Sequence, residues 1–419
     1  MEIQYSKKVP VKGKYDVIVA GGGVAGCAAA VAAAREGKKA IVFEKTVTLG
    51  GLATNGLINL FEPMCNGRGT QVMFGMCEEL FNLSVKYGYD SIPADWKNGK
   101  PEKKTFQRME TRYEAPVFSL ALTELLKAEG VDICFDTLIT DVVMEGKHCK
   151  AIIVENKSGT LCYEGDLFID ASGDADLLAR AGVPTVIGRN FHTYIAYGIT
   201  LDSCKRALDM KNIGKAEVAF MGGKSTLHGT GHPENIKTYD ATNADEVNRY
   251  LITNQLELLN KIKSDDRMSR YVFMLPSMAQ FRTSRRIDGE HTFNTEKDAY
   301  RHFDDSIGVI SDYERRDYIY EVSYRTLIKN GYDNIITAGR CASGEGYGWD
   351  IIRSIPASIA TGQAAGIACS QALDTKKPVF DIEIGKLQNT LEKRGVSLHF
   401  DDSLIPEVIE DIYTPTGKR

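Results

Sequence analysis

Near the N-terminus the apolar residues fall in continuous runs rather than in alternation. Residues 15–20 (YDVIVA) are rich in β-branched side chains and end in three glycines, which predicts a short strand buried on both faces. Residues 24–36 are alanine-rich and stop at Gly37, which predicts a helix, and residues 39–44 (KAIVFE) predict a second buried strand. Strand, helix and strand within about 30 residues form a βαβ unit, whose two strands must run parallel.

The pattern then loosens. Residues 71–87 are amphipathic at helical spacing, 88–105 are polar and turn-rich, and 114–129 predict a helix ended by Gly130. Three strands are expected at 137–144, 150–156 and 160–163. The turns Glu145-Gly146-Lys147 and Lys157-Ser158-Gly159 join them into an antiparallel meander. A separate buried strand follows at 166–170 (DLFID). After Pro184 the βαβ rhythm is lost, although 243–263 predict a helix. A strand at 334–338 and a long small-residue helix ending at Leu373 restore it. The fold class expected is α/β. A discontinuous Rossmann-like domain, residues 1–183 and 326–419, carries a parallel sheet and a β-meander, and residues 184–325 form an inserted α+β substrate domain.

Composition changes this picture little. The chain has 419 residues with a net charge of -5, so no basic surface for nucleic acid is expected. Residues 17–34 and 355–373 carry no charge and approach membrane-span length. Both are interrupted by glycines and read as buried elements, so no membrane partner is expected. Residues 1–14 have no apolar core of the signal-peptide kind. The nine cysteines include no C-x-x-C pair, which predicts free thiols and a reducing, cytoplasmic setting.

The chemistry begins at Gly21-Gly22-Gly23-Val24-Ala25-Gly26, a G-x-G-x-x-G between strand and helix. Gly21 permits the tight turn, Gly23 lets the backbone approach a pyrophosphate, and Gly26 lets helix and strand pack closely. The helix N-terminus offers N–H groups and partial positive charge to phosphates. Glu44, at the end of the second strand, is placed to accept hydrogen bonds from ribose hydroxyls. Four further segments extend the pattern: LGGLAT at 49–54, FIDASGD at 168–174, IITAGR at 335–340 and GQAAG at 362–366.

With these motifs, and with DASGDADLLARAGVP, FRTSRRIDGEHTF and IRSIPASIATGQAAGIA, the chain resembles a bacterial family of FAD-dependent oxidoreductases of the glutathione-reductase-type fold. That family is related to fumarate-reductase flavoproteins and to the flavin subunit of heterodisulfide reductase. The resemblance runs from residue 15 to about 373 and implies bound FAD. By position it implies that Gly21, Gly23, Ala25, Gly26, Gly50, Gly51 and Thr54 line the diphosphate, with Val24 and Ala53 beside them. Glu44 and Lys45 would serve the adenosine ribose, and Ala171, Ser172 and Gly173 would close over the adenine half. Gly339 and Arg340 would lie near the ribityl and pyrophosphate, with Gly362 in a final helix whose N-terminus faces the N1/O2 edge of the flavin. Many relatives carry Gly-Asp where this chain has Gly339-Arg340, so no carboxylate–ribityl bond is implied there.

No second G-x-G-x-x-G follows a strand, so no separate NAD(P)H domain is expected, and no C-x4-C pair offers disulfide chemistry. Residues 221–225 (MGGKS) lack the first glycine of a phosphate loop, because Val218 stands there. His228 and His232 have i, i+4 spacing, but Gly229-Thr230-Gly231 between them opposes a helix, and no metal site is expected. On a strand, Arg282, Ser284 and Arg286 would share one face and Arg285 the other. Arg353, at the start of the last small-residue helix, is the arginine best placed to meet the flavin ring. His192, Tyr194 and Tyr347 are possible acid–base groups, and His192, Arg282, Tyr347 and Arg353 form the candidate catalytic set. The activity expected is hydride transfer between a small-molecule substrate and flavin N5. The alternatives are a flavin subunit passing electrons to a redox partner and a non-redox FAD-binding protein. A homo-oligomer is compatible with either.

Overall fold

The computed structural model describes residues 3–408. Its main sheet follows from the βαβ unit. The first strand (Val11–Ala20) lies between Ala40–Phe43 and Gly159–Asp170 and runs parallel to both, and Asp132–Cys134 extends the edge beyond Ala40–Phe43. Both faces of the first strand are covered over its last four residues. Val17 and Val19 enter the core beneath the helices, while Ile18 and Ala20 enter a second core under the meander. That double burial is why residues 17–20 are continuously apolar.

The meander is present as Leu138–Glu145, His148–Asn156 and Gly159–Asp170, with one correction to the expected elements. The strands expected at 160–163 and 166–170 are a single strand of 12 residues. Gly165 does not interrupt it. A Cβ there would come within 2.8 Å of Ile18 Cδ1, so the glycine serves close packing rather than a turn. This strand changes partner along its length: residues 159–164 pair antiparallel with the meander, and Phe168–Asp170 pair parallel with Ile335–Thr337. Two other expectations shift. The amphipathic helix begins at Met76 rather than 71, because Gly75 at its N-cap has φ +65°. The three-residue strand Asp132–Cys134 was too short to read from pattern.

The first helix (Val24–Arg35) crosses the long buried helix (Ile355–Thr375) against the sheet. A Cβ at Gly362 would lie 2.2 Å from the Ala25 carbonyl oxygen, and one at Gly366 equally close to that of Ala29. Small residues at this crossing let two backbones touch. The charge-free stretches that approach membrane-span length are thus a strand–helix pair and a core helix. No helix among the described residues is long and apolar enough to cross a membrane. The long helix is not the last one, since Ile384–Lys393 follows it.

Residues 184–325 divide by their packing. Val218–Lys224, Thr193–Thr200 and Arg270–Met274 form an antiparallel sheet against the helix Ala244–Ser264, which is capped by Asn243 Oδ1 accepting from the N–H groups of Asp245 and Glu246. This unit has small apolar clusters of its own, around Tyr194, Ala196 and Leu258 and around Tyr239, Tyr250 and Phe281. By contrast Phe293, Ile307, Val309, Tyr320 and Tyr324 pack into the main core beside the first and long helices.

Candidate functional site

One long cleft, of about 1060 Å3 including its mouth, opens at the C-terminal ends of the parallel strands. Ligands of open α/β sheets collect at that edge because loops and helix N-termini converge there. Of the residues expected to hold the cofactor, Gly21, Gly23, Val24, Ala25, Glu44, Lys45, Gly50, Gly51, Ala53, Ala171, Ser172, Gly173 and Arg340 line it.

The local geometry suits a dinucleotide. The first helix has no side-chain N-cap, which leaves its first turn directed at the cleft. Gly23 has nothing within 4 Å of where its Cβ would be, so its missing side chain leaves space for a ligand. Gly26 is different. Its Cβ would sit 2.0 Å from the Gly21 carbonyl oxygen, so it serves strand–helix packing and does not line the cleft. Gly362 likewise serves the helix crossing. Gly339 packs toward Ala25, and its N–H donates to Thr361 Oγ1 at 2.9 Å. Thr54 is buried, donating from Oγ1 to the Leu49 carbonyl at 2.5 Å. These four stand behind the lining rather than in it.

Glu44 is held by its surroundings. Oε2 accepts from the Gly22 N–H, and Oε1 accepts from the N–H and hydroxyl of Thr46, all at 2.8 Å. The carboxylate both orders the glycine loop and faces the cleft. Arg340 donates from Nη2 to Asp174 at 2.8 Å and from Nη1 to the Phe281 carbonyl. This charge pair joins two of the cofactor motifs, and nothing in either motif alone announced it.

Lining residues not expected from the sequence come from outside the motifs. Thr137, Leu138 and Ile139, at the start of the meander, join Thr46 and Leu177 near Glu44. Met278, Ile355 and Ser358 join Arg353 at the other end. Arg353 closes the short helix Tyr347–Ile352 and donates from Nε and Nη2 to Asp350. Burial works against its charge, but Asp350 and Tyr313 more than compensate and hold the guanidinium above its ordinary value. Arg282 lies nearby, its Nη1 donating to the Thr226 carbonyl at 2.8 Å. Burial first, and repulsion from Arg353 second, lower its hold on the proton.

Beside Arg353 stands a residue that the sequence reading missed, Glu62. Its Oε2 accepts from the Ile355 N–H at 3.0 Å, capping the long helix at the end expected to face the flavin. Burial pushes this carboxyl up to about 7, while the Ile355 N–H and Arg353 pull it down. The signal available was a single acid inside the apolar stretch LINLFEPM, residues 57–64.

The other candidates are placed elsewhere. His192 is buried away from the cleft lining, its Nε2 2.7 Å from Glu257 and its Nδ1 3.2 Å from the Tyr239 hydroxyl. Both ring nitrogens are occupied, so the placement gives no support to an acid–base role. Tyr194 is also buried within the inserted sheet. Tyr347 donates to Asp312 Oδ1 at 2.6 Å, and burial together with that carboxylate raises its phenol far beyond the normal range, which keeps it protonated. His228 bonds Glu314 at 2.9 Å, while His232 accepts from the His192 N–H, so the two do not face one another. Of the three clustered arginines only Arg285 and Arg286 lie on a strand, Arg285–Ile287. All nine cysteines are free.

The model of the FAD-dependent oxidoreductase family matches residues 16–194 and 206–391, and the chain belongs to that family. It is an FAD-dependent oxidoreductase. No curated protein matches the sequence. Among solved structures, a geranylgeranyl bacteriochlorophyll reductase-like protein from Thermoplasma acidophilum is 14% identical with a TM-score of 0.49, covering 91% of this chain and 84% of its own. A flavoprotein/dehydrogenase from Cytophaga hutchinsonii is 16% identical with a TM-score of 0.43, covering 91% and 83%. The p-nitrophenol 4-monooxygenase of Pseudomonas putida is 12% identical with a TM-score of 0.44, covering 95% and 84%. Likenesses this distant say nothing of the substrate.

Proposed function

We propose that the chain transfers a hydride between a small, anionic substrate and FAD, with the substrate held at the Arg353 end of the cleft. The observation that carries this reading is the continuity of one cleft from Glu44, past the glycine loops, to Arg353, Ile355 and Met278. FAD, when bound, supplies the atom that accepts or gives the hydride. The remaining work falls to the chain. Arg282 and Arg353 outnumber Asp350, and main-chain carbonyls bind Arg282 without cancelling its charge. Glu62 is about half ionised near pH 7, and the neighbouring guanidiniums of Arg282 and Arg353 offer a substrate carboxylate its charged donors. Glu62 is the group here able to give or take a proton near neutral pH.

On this reading residues 184–325 supply the substrate side, through Met278 in the lining and Arg282 close to Arg353, while the part from Phe293 onward braces the nucleotide half. The test is anaerobic. The yellow protein is mixed with hydroxy acids, amino acids, simple alcohols and NAD(P)H, and the flavin absorbance is followed. Bleaching by an acid but not by its alcohol counterpart supports the proposal. No bleaching by any small molecule, with rapid reduction by a redox protein, would favour the electron-transfer alternative.

A further inference from the structure

Away from the cleft, His302, Glu321 and His399 converge from three separate segments. His302 precedes the strand Ser306–Ser311, Glu321 lies within its antiparallel partner Ile319–Ser323, and His399 belongs to the segment after Ile384–Lys393. His302 Nδ1 is 2.6 Å and His399 Nδ1 2.9 Å from the same oxygen, Glu321 Oε1. One ligand atom from each residue lies within 4.8 Å of those of the other two. Glu321 is fully buried, while the imidazoles are 45% and 49% exposed.

We propose that this trio is a site for a divalent transition ion of the zinc type, bound through His302 Nδ1, His399 Nδ1 and Glu321 Oε1. A tetrahedral ion with bonds of about 2.0–2.1 Å sets its ligand atoms roughly 3.3 Å apart, so the ring nitrogens move outward from Glu321 by less than about 1 Å while the imidazoles, whose ligand atoms lie within 4.8 Å of each other, adjust to that same spacing. Two imidazoles and one carboxylate are a donor set for zinc, cobalt or ferrous iron and not for magnesium or calcium.

The surroundings are organised for this role. The far nitrogen of His302, Nε2, is 2.8 Å from Asp402 Oδ1, which keeps a proton on Nε2, so that an ion displacing the proton shared between Nδ1 and Glu321 takes the Nδ1 lone pair. The second oxygen of Glu321 accepts from the Phe303 N–H at 2.7 Å, which fixes the carboxylate's orientation. The His302 ring stacks on buried Phe400 at 4.3 Å between centroids. The exposed side of the imidazoles leaves a fourth position to water. An ion here clasps the segment carrying His399 and Asp402 to the hairpin carrying Glu321. The i, i+4 pair His228 and His232 drew attention by its spacing. The ligands proposed here are 19 and 78 residues apart along the chain and share no motif.

The test uses tag-free, FAD-loaded protein stripped with a chelator. Titration with Zn2+ by calorimetry should show one ion per chain, and Co2+ should give ligand-field bands at wavelengths beyond the flavin absorption. His302→Gln and His399→Gln, both at half-exposed positions, should abolish the binding while FAD absorbance confirms the fold. Asp402→Asn should weaken it about tenfold or more. Zn2+ should raise the thermal midpoint of the parent but not of the double variant H302Q/H399Q. No saturable binding, or binding that survives unchanged in the double variant, would overturn the proposal. If the double variant lost FAD, D402N alone would decide: unchanged affinity overturns the proposal.

Discussion

The two ends of the cleft are built on different principles. The nucleotide end is made of backbone: glycine loops at 21–23 and 50–51, the uncapped first turn of a helix, and the small residues Ala171, Ser172 and Gly173. The other end, where we propose that the ring and substrate meet, is made of side chains: Met278 and Arg353 line it, and Glu62 and Arg282 lie within electrostatic reach of Arg353, delivered from different parts of the chain. A phosphate needs only N–H groups and room, which any tight glycine turn supplies. A reacting substrate needs particular charges and protons at particular points, and only side chains supply those. The nucleotide end should therefore tolerate no added atoms, and the ring end should tolerate altered atoms at the expense of rate.

The strongest break in this comparison separates two glycines of the same loop. Gly26→Ala places a methyl against the Gly21 carbonyl and should cost about 1–3 kcal/mol or more of fold stability, seen as a lowered thermal midpoint of the apoprotein. Gly23→Ala meets no protein atom and should leave the apoprotein midpoint nearly unchanged, yet reduce FAD affinity by about 10- to 100-fold, as the methyl occupies ligand space. Equal apoprotein destabilisation by both would show that Gly23 is structural too.

At the ring end, Arg353→Ala should slow substrate-driven flavin reduction by roughly 10- to 100-fold, the range of a charge-assisted hydrogen bond, while FAD occupancy stays near normal. Asp350→Asn in the same chain guards against the buried carboxylate left behind. Stopped-flow reduction and bound-flavin absorbance read the two effects separately, and loss of occupancy with normal turnover would assign Arg353 to the cofactor instead.

Glu44→Ala removes a charged acceptor and should weaken FAD binding by about 1.5–3 kcal/mol without unfolding the domain. Flavin-release titration checks this. Because Glu44 also anchors the Gly22 and Thr46 N–H groups, Glu44→Gln should recover part of the loss.

The narrowest effect, confined to one pH window, is in pH dependence. The Glu62 carboxyl titrates from an ordinary 4.5 when unfolded to about 7 when folded. The native state therefore binds the extra proton between those values, and stability should fall as pH rises through that window, by up to about 3 kcal/mol. Glu62→Gln should flatten that slope in denaturant titrations and remove an inflection near neutral pH from the flavin-reduction rate. A slope unchanged in the variant would place the titrating group elsewhere.

What could be read from the sequence was local. The G-x-G-x-x-G turn, Glu44 at the end of its strand and the small-residue turns at 171–173 and 339–340 occupy contiguous stretches, because backbone conformation is set by neighbours in the chain. These sufficed for the fold class, the family and FAD. Errors within the nucleotide half arose where tertiary packing overrode a local sign, as at Gly165, which reads as a break and serves as a contact with Ile18. Only the folded molecule decided which polar side chains meet. It withdrew His192 into a bonded pair with Glu257, set Asp174 against Arg340, and brought Glu62 to the N–H of Ile355 from 293 residues away. It also gathered His302, Glu321 and His399 around one oxygen. Such encounters depend on how distant segments pack against a shared core, and no pattern of spacing along one chain encodes that distance.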